Sequence, residues 1–270
     1  MKKIILIFFL LIILFFPYNL TKEKNIESKT SFITLPYKLN IVAKKVYNNR
    51  TNLEKLINKS KFYFNNNNFY NSITGLVSTN AKKIIDVSSY QGIIDWEKAK
   101  KEIDGVILRI GFGSSTIDGK LENNIRELQR LNIPYGIYLY SYAENDIEAL
   151  KEAEFTLDII RKYNLNISLG IYYDIEEFYV HGKKVIISKK TYQKIIETYI
   201  NKLGIYSVGV YTYAKMYKNK LNEQTKTYVT WIAQYNYYFN YQKHYIMWQY
   251  SSTEKINGIK GNVDMNVMFN

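Results

Sequence analysis

LGIYYDIE, Leu169–Glu176, is a run of apolar and aromatic residues that ends in acids. A strand with one wet face alternates polar and apolar residues. Here Leu169, Ile171, Tyr172 and Tyr173 leave no polar face before Asp174, as expected of a strand covered on both sides. Seven further runs share this texture: IIDVS (Ile84–Ser88), GVILRIG (Gly105–Gly111), YGIYLYS (Tyr135–Ser141), SVGVYT (Ser207–Thr212), VTWIAQ (Val229–Gln234), HYIMWQYS (His244–Ser251) and NVDMN (Asn262–Asn266). Helical patterns fill the gaps between the first five, at Asp95–Lys101, Leu121–Leu131, Asp146–Tyr163 and Lys189–Leu203. Such alternation with right-handed crossovers predicts an α/β class, a parallel sheet with helices outside, and eight strands can close it into a barrel. A full (β/α)8 barrel takes about 250 residues; fewer than 190 follow Lys83. The late strands are therefore expected to lack full-length helices.

Barrels of this kind gather their chemistry at the C-terminal ends of the strands. The polar residues fall there: Asp86 in run one, Arg109 in run two, Tyr138, Tyr140 and Ser141 in run three, Asp174 and Glu176 in run four. Tyr211, Gln234 and Gln249 close the next three runs, and Asp264 lies in the eighth. Acids inside apolar strands are costly to bury and need a reason. Residues two apart on a strand share a side, so Asp174 and Glu176 are expected to face one way and Glu177 the other. Two neighbouring carboxylates raise one another's proton affinity, so one can act as a general acid while the other is ionised, the division of labour glycosidic cleavage needs. Aromatic residues crowd the expected mouth: Tyr90, Tyr138, Tyr140, Tyr173, Tyr211, Trp231, Tyr235, Trp248 and Tyr250. Flat rings suit the apolar faces of sugars.

Competing chemistries fit poorly. The chain has no cysteine and two histidines, which excludes thiolate metal sites, disulfides and a histidine-rich cluster. His181 follows the acidic run in a loop and His244 opens a strand, so neither reads as part of a triad. GFGSSTIDG (Gly111–Gly119) lacks the spacing of a phosphate loop and is expected to be a mobile loop at the mouth. No cofactor or metal is expected.

The net charge of +13 is unevenly spread. Residues 1–83 carry 14 Lys/Arg against 3 Asp/Glu, and residues 84–270 carry 23 against 21. The basic character thus belongs to the N-terminal third, which argues against a nucleic-acid partner and for an arm lying on an anionic membrane surface or wall polymer. Residues 1–20, MKKIILIFFLLIILFFPYNL, place two lysines before an apolar run ended by Pro17, the pattern of an export signal or a retained anchor. Residues 21–83 read as a low-complexity basic arm, with KFYFNNNNFYNS at Lys61–Ser72 and a short helix around Leu53–Lys61. The catalytic domain is expected over 84–270.

In order along the chain, IIDVSSYQGIIDWEKAK, GVILRIGFG, PYGIYLYSYA, YYDIE, GVYTY, WIAQY, WQYSS and GIKGNVDMN resemble the glycoside hydrolase family 25 lysozymes, the Chalaropsis-type muramidases, from about Ile84 to Met268. The resemblance implies a TIM-like flattened (β/α)5(β)3 barrel. It also implies hydrolysis of the β-1,4 bond between N-acetylmuramic acid and N-acetylglucosamine in peptidoglycan by an exported enzyme. By motif position Glu176 looks like the general acid/base and Asp174 its partner, with Asp86 and Asp264 as further catalytic acids. Tyr138 looks like a residue facing the reacting sugar; Tyr90, Arg109, Tyr140, Tyr211, Trp231, Gln234 and Gln249 complete the expected substrate site. Either the substrate's 2-acetamido group attacks the anomeric carbon, held by Asp174, or Asp174 or Asp264 attacks directly; two acids on one strand favour substrate assistance. A non-catalytic wall-binding barrel is the alternative. Leu139, between the two tyrosines where many relatives carry an aromatic or His, should point outward.

Overall fold

The computed structural model describes residues 61–235 and 244–269. The apolar segment 1–20, the arm up to residue 60 and most of the helix expected around Leu53–Lys61 lie outside the described residues. The chain divides into two compact units, residues 1–63 with 70–75 and residues 64–69 with 76–270. In the first, Asn71 Oδ1 accepts hydrogen bonds from the backbone N–H of Ile73 and Thr74, and the rings of Tyr63 and Tyr70 stack. In the second, eight strands form the barrel among the described residues: β1 Lys82–Val87, β2 Gly105–Phe112, β3 Tyr135–Tyr140, β4 Ile171–Asp174, β5 Val208–Tyr213, β6 Val229–Ala233, β7 Met247–Glu254 and β8 Val263–Met268. The sheet runs β1-β8-β7-β6-β5-β4-β3-β2 and closes through β1–β2.

All pairings from β1–β2 through β6–β7 are parallel, whereas β8 runs antiparallel to both β7 and β1. An all-parallel sheet was expected; the connection from Glu254 to Val263 is too short for a parallel crossover, which takes a dozen residues or more. Helices α1 Trp96–Ala99, α2 Leu121–Arg130, α3 Asp146–Lys162 and α4 Lys189–Lys202 fill the expected gaps, followed by the short α5 Ala214–Lys220 and α6 Glu223–Lys226. The starts of α1, α3, α4 and α6 follow from capping: Asp95, Asn145, Ser188 and Asn222 each accept from the backbone N–H three residues on.

The strand pleat sorts the residues. Ile84, Ile107, Tyr172, Trp231, Met247 and Met268 pack together as the barrel core. Two residues nearer the mouth stand Asp86, Arg109, Asp174, Ala233, Gln249 and, on the reversed strand, Asn266. Residues of the other face meet the outer layer. Tyr173 stacks on Tyr199 of α4 with centroids 3.8 Å apart, and Trp248 and Tyr250 pack against Phe69. These three, expected at the mouth, are thus corrected to outward positions, while Leu139 points outward as expected and is buried against the outer layer.

The arm expected to be loose up to Lys83 also needs correction. Phe62–Asn65 and Asn68–Asn71 are strands joined by Asn66 and Asn67 at φ 47° and 59°, and Gly75–Ser78 follows as a third. Asparagine tolerates this left-handed turn, so the asparagine run is a turn signal rather than low complexity. Phe69 is fully buried.

Candidate active site

The turn after β1 is built by DVSSYQG. Ser88 Oγ accepts from Tyr90 N–H at 3.2 Å, Gln91 Oε1 accepts from Ser88 N–H at 2.9 Å, and Gly92 ends the turn at φ 67°. The turn leaves Tyr90 86% exposed, its ring 5.1 Å from the Arg109 guanidinium carbon. Arg109 bonds Asp118 at 2.8 Å and Ser89 Oγ at 3.0 Å. Its guanidinium is thus engaged by the protein, and its charge acts on the site as a field that opposes the raised proton affinity of Asp174. Asp118, missed in the sequence, comes from the glycine-rich stretch expected to be mobile. That stretch instead pairs Thr116 and Ile117 with Phe112 and Gly111. Gly111 has no room for a Cβ, which would stand 2.1 Å from Thr116 O.

The reversal of β8 brings two acids face to face. Its N-terminal end lies at the mouth, and the register sets Asp264 opposite Asp86. Asp86 is buried and accepts from Gln249 Nε2 at 2.9 Å and Asn266 Nδ2 at 2.8 Å. Burial and the Asp264 charge nevertheless raise its pKa to about 8, so Asp86 keeps a proton that it shares with Asp264. Gln249 Oε1 accepts from both Tyr211 and Tyr235 hydroxyls, which ties β5, β7 and the segment after β6 to this carboxyl. Asn266 also accepts from Trp231 Nε1 at 2.8 Å. Trp231, expected to meet substrate, is 1% exposed and forms the floor, edge-on to Tyr138. Asn266 was missed, although its place two residues from Asp264 on one strand face could have found it.

Across the mouth, β4 ends at Asp174, paired with Tyr140 and Tyr211 on either side. Glu176 therefore stands on the segment beyond the strand, although Ile175 still donates to Tyr211 O at 2.9 Å and keeps that segment extended. Burial, then the charges of Glu176 and Asp86, push Asp174 well above the usual carboxylate range; its Oδ1 is buried with no hydrogen-bond partner among the described residues. Glu176 is raised to about 7, first by burial and then by Asp264. Glu177 differs in kind. It pairs with Lys184 at 2.7 Å and Lys220 at 3.6 Å and accepts from Tyr213, which together hold it below its ordinary value. Tyr138 and Tyr140 reach the same space, their hydroxyls feeling the charges of Asp174 and its neighbours. Gln234 lies just past β6, donates its N–H to Gln249 O at 3.0 Å and accepts from Trp248 Nε1 at 2.9 Å.

Behind Asp174, a buried Glu152 on α3, also missed in the sequence, accepts from Tyr142 N–H, Ser141 Oγ and Tyr173 OH. It fixes the segment after β3, whose Ser141 N–H donates to Asp174 O at 3.0 Å.

Residues 85–259 match the family model described as Glycosyl hydrolases family 25. An autolytic lysozyme from Clostridium acetobutylicum is 29% identical over 185 residues, 68% of this chain and 54% of that protein. The modular autolysin LytC from Streptococcus pneumoniae is 39% identical and superposes with a TM-score of 0.72 over 77% of this chain and 52% of its own. The same autolysin solved in complex with a synthetic peptidoglycan ligand gives 38% and 0.71 over the same shares. The chain thus spans about half the length of these relatives. The family match covers well over half of the chain and includes all but one of the four acids at the mouth, and this chain belongs to glycosyl hydrolase family 25.

Proposed function

We propose that this protein is a lysozyme that hydrolyses the β-1,4 bond between N-acetylmuramic acid and N-acetylglucosamine in peptidoglycan. The observation that carries the reading is the pair at the end of β4: Glu176 raised to about 7 beside Asp174, whose buried Oδ1 has no partner among the described residues. Glu176 is half protonated near neutrality and can both give and take a proton. It protonates the glycosidic oxygen while the substrate's acetamido oxygen attacks the anomeric carbon, so the C1–O bond to the leaving sugar breaks as the new C1–O bond forms. Asp174 Oδ1 accepts from the acetamido N–H, and the positive charge developing there favours the ionised carboxylate. Water then attacks the anomeric carbon, gives a proton to Glu176 and restores the acetamido group with net retention. Asp86 and Asp264 hold one proton between them and, with Gln249 and Asn266, shape the wall opposite. Tyr138 and Tyr140 line the sugar site, Tyr211, Gln234 and Tyr90 border it, and Arg109 braces the Tyr90 turn.

The relatives that are autolysins support action on the cell wall. Export through the apolar segment 1–20 places the enzyme there, and the basic arm before residue 61 holds it on anionic wall polymers. Among the described residues no helix is long and apolar enough to cross a membrane. The test is release of new reducing ends from purified peptidoglycan: Glu176→Gln should lower turnover by three orders of magnitude or more while still binding glycan strands. Wild-type turnover in that variant would refute the assignment, and binding without turnover by the unaltered protein would make it a wall-binding barrel.

A further inference from the structure

A groove of about 470 Å³ is lined by Glu176, Tyr211, Tyr213, Gln234, Tyr235 and Lys215, the second residue of α5. Lys215 is its one cation, exposed and without hydrogen bond or ion pair among the described residues. Helix stability does not explain it, because a lysine in the first turn stands at the wrong end of the helix dipole. Nearby lysines behave otherwise: Lys184 and Lys220 are both drawn onto Glu177. The tyrosines cannot answer a negative charge either, since Tyr211 and Tyr235 donate to Gln249 and Tyr213 to Glu177. Asp86 and Asp264 share one proton at the same mouth and so still carry a negative charge between them, which Glu176 adds to when ionised, and an anionic substrate entering this groove meets repulsion unless a cation offsets it.

We propose that Lys215 binds a carboxylate on the lactyl branch of a muramoyl residue seated in this groove, and so selects anionic strands over neutral glycans. The inference rests on the lysozyme reading. The carboxylate is either that of the lactyl group itself, free in strands without peptide, or one carried by the attached peptide.

The test uses the full chain and two readouts. Turnover of the wild type on peptidoglycan reports on the lysozyme reading alone. Dissociation constants for defined muramoyl oligosaccharides, measured in Glu176→Gln with and without Lys215→Met, report on Lys215 alone. For strands with a free lactyl carboxylate, Lys215→Met should weaken binding about three- to fivefold, as expected for a partly exposed charge pair. Lys215→Arg should restore it, and raising the salt to about 0.5 M should erase the difference. Strands whose lactyl carboxylate is converted to the neutral amide should bind both variants equally. A loss seen only with peptide-bearing strands would assign the carboxylate to the peptide. Equal affinity of both variants for every anionic strand, or an equal loss on the neutral amide, would overturn the proposal.

Discussion

Replacing Asp264 by Asn should move the pH dependence of the reaction in a direction and by an amount that the site geometry sets. The change removes one charge facing Glu176 but keeps an oxygen to accept the proton shared by Asp86. Glu176 rises from 4.5 to about 7, and burial contributes more to this than the Asp264 charge. The whole rise is worth about 3 kcal/mol at 1.36 kcal/mol per pH unit. Asp264 accounts for less than half of it, on the order of one pH unit at most. The basic limb of kcat/KM for reducing-end release should therefore shift to lower pH by up to that amount, and stay above the ordinary glutamate value because Glu176 remains buried. A carbon-13 titration of the glutamate carboxyls in the same variant should report the same shift even where turnover is low. A limb that stays in place or moves to higher pH would show that Glu176 does not set it. A fall to the ordinary glutamate value would show that charge, not burial, dominates.

Other perturbations separate neighbouring roles. Phe69→Ala removes a fully buried ring from Trp248 and Tyr250 and should cost about 3–5 kcal/mol in thermal unfolding; a change under 1 kcal/mol would mean that the strand carrying it does not anchor the barrel. Glu177→Gln breaks partly exposed pairs with Lys184 and Lys220 and should cost under about 1 kcal/mol of stability and little turnover, whereas the adjacent Glu176→Gln should abolish turnover. Asp86 and Glu176 have folded pKa values of about 8 and about 7, above those of the unfolded chain. The folded state thus binds more protons between about pH 4 and 8, so stability should be greatest below that window and fall as pH rises through it. Each kcal/mol lost should lower the unfolding midpoint by about 2–4 °C, and a midpoint that rises from pH 5 to 8 would contradict the burial of these acids.

Most of the architecture was legible because buried parallel strands leave unbroken apolar runs, and each of the eight runs overlaps a barrel strand. What was illegible turned on the pleat and on contacts distant in sequence. Tyr173, Trp248 and Tyr250 look like mouth residues by composition, yet each stands one residue out of phase with an inward neighbour, Asp174 or Gln249. Trp231 is in phase but one step too deep. The asparagine run at residues 65–68 read as disorder because its turn geometry matters only once Phe64 and Phe69 come together. Asp118 and Glu152 left no local trace, since their partners Arg109, Ser141 and Tyr173 are 9, 11 and 21 residues away.

The reversed eighth strand joins closure of the barrel to its chemistry. A parallel β8 would have placed its C-terminal end at the mouth, with Met268 among the acids and Asp264 toward the core. Running antiparallel, the same VDMNVM delivers Asp264 and Asn266 to Asp86 and sends Met268 into the core with Ile84. One short connection therefore decides both that the sheet closes and that a second carboxyl stands across from Glu176. Since that carboxyl helps hold Glu176 near neutrality, the length of the segment between Glu254 and Val263 bears on the proton affinity of a residue on the opposite wall.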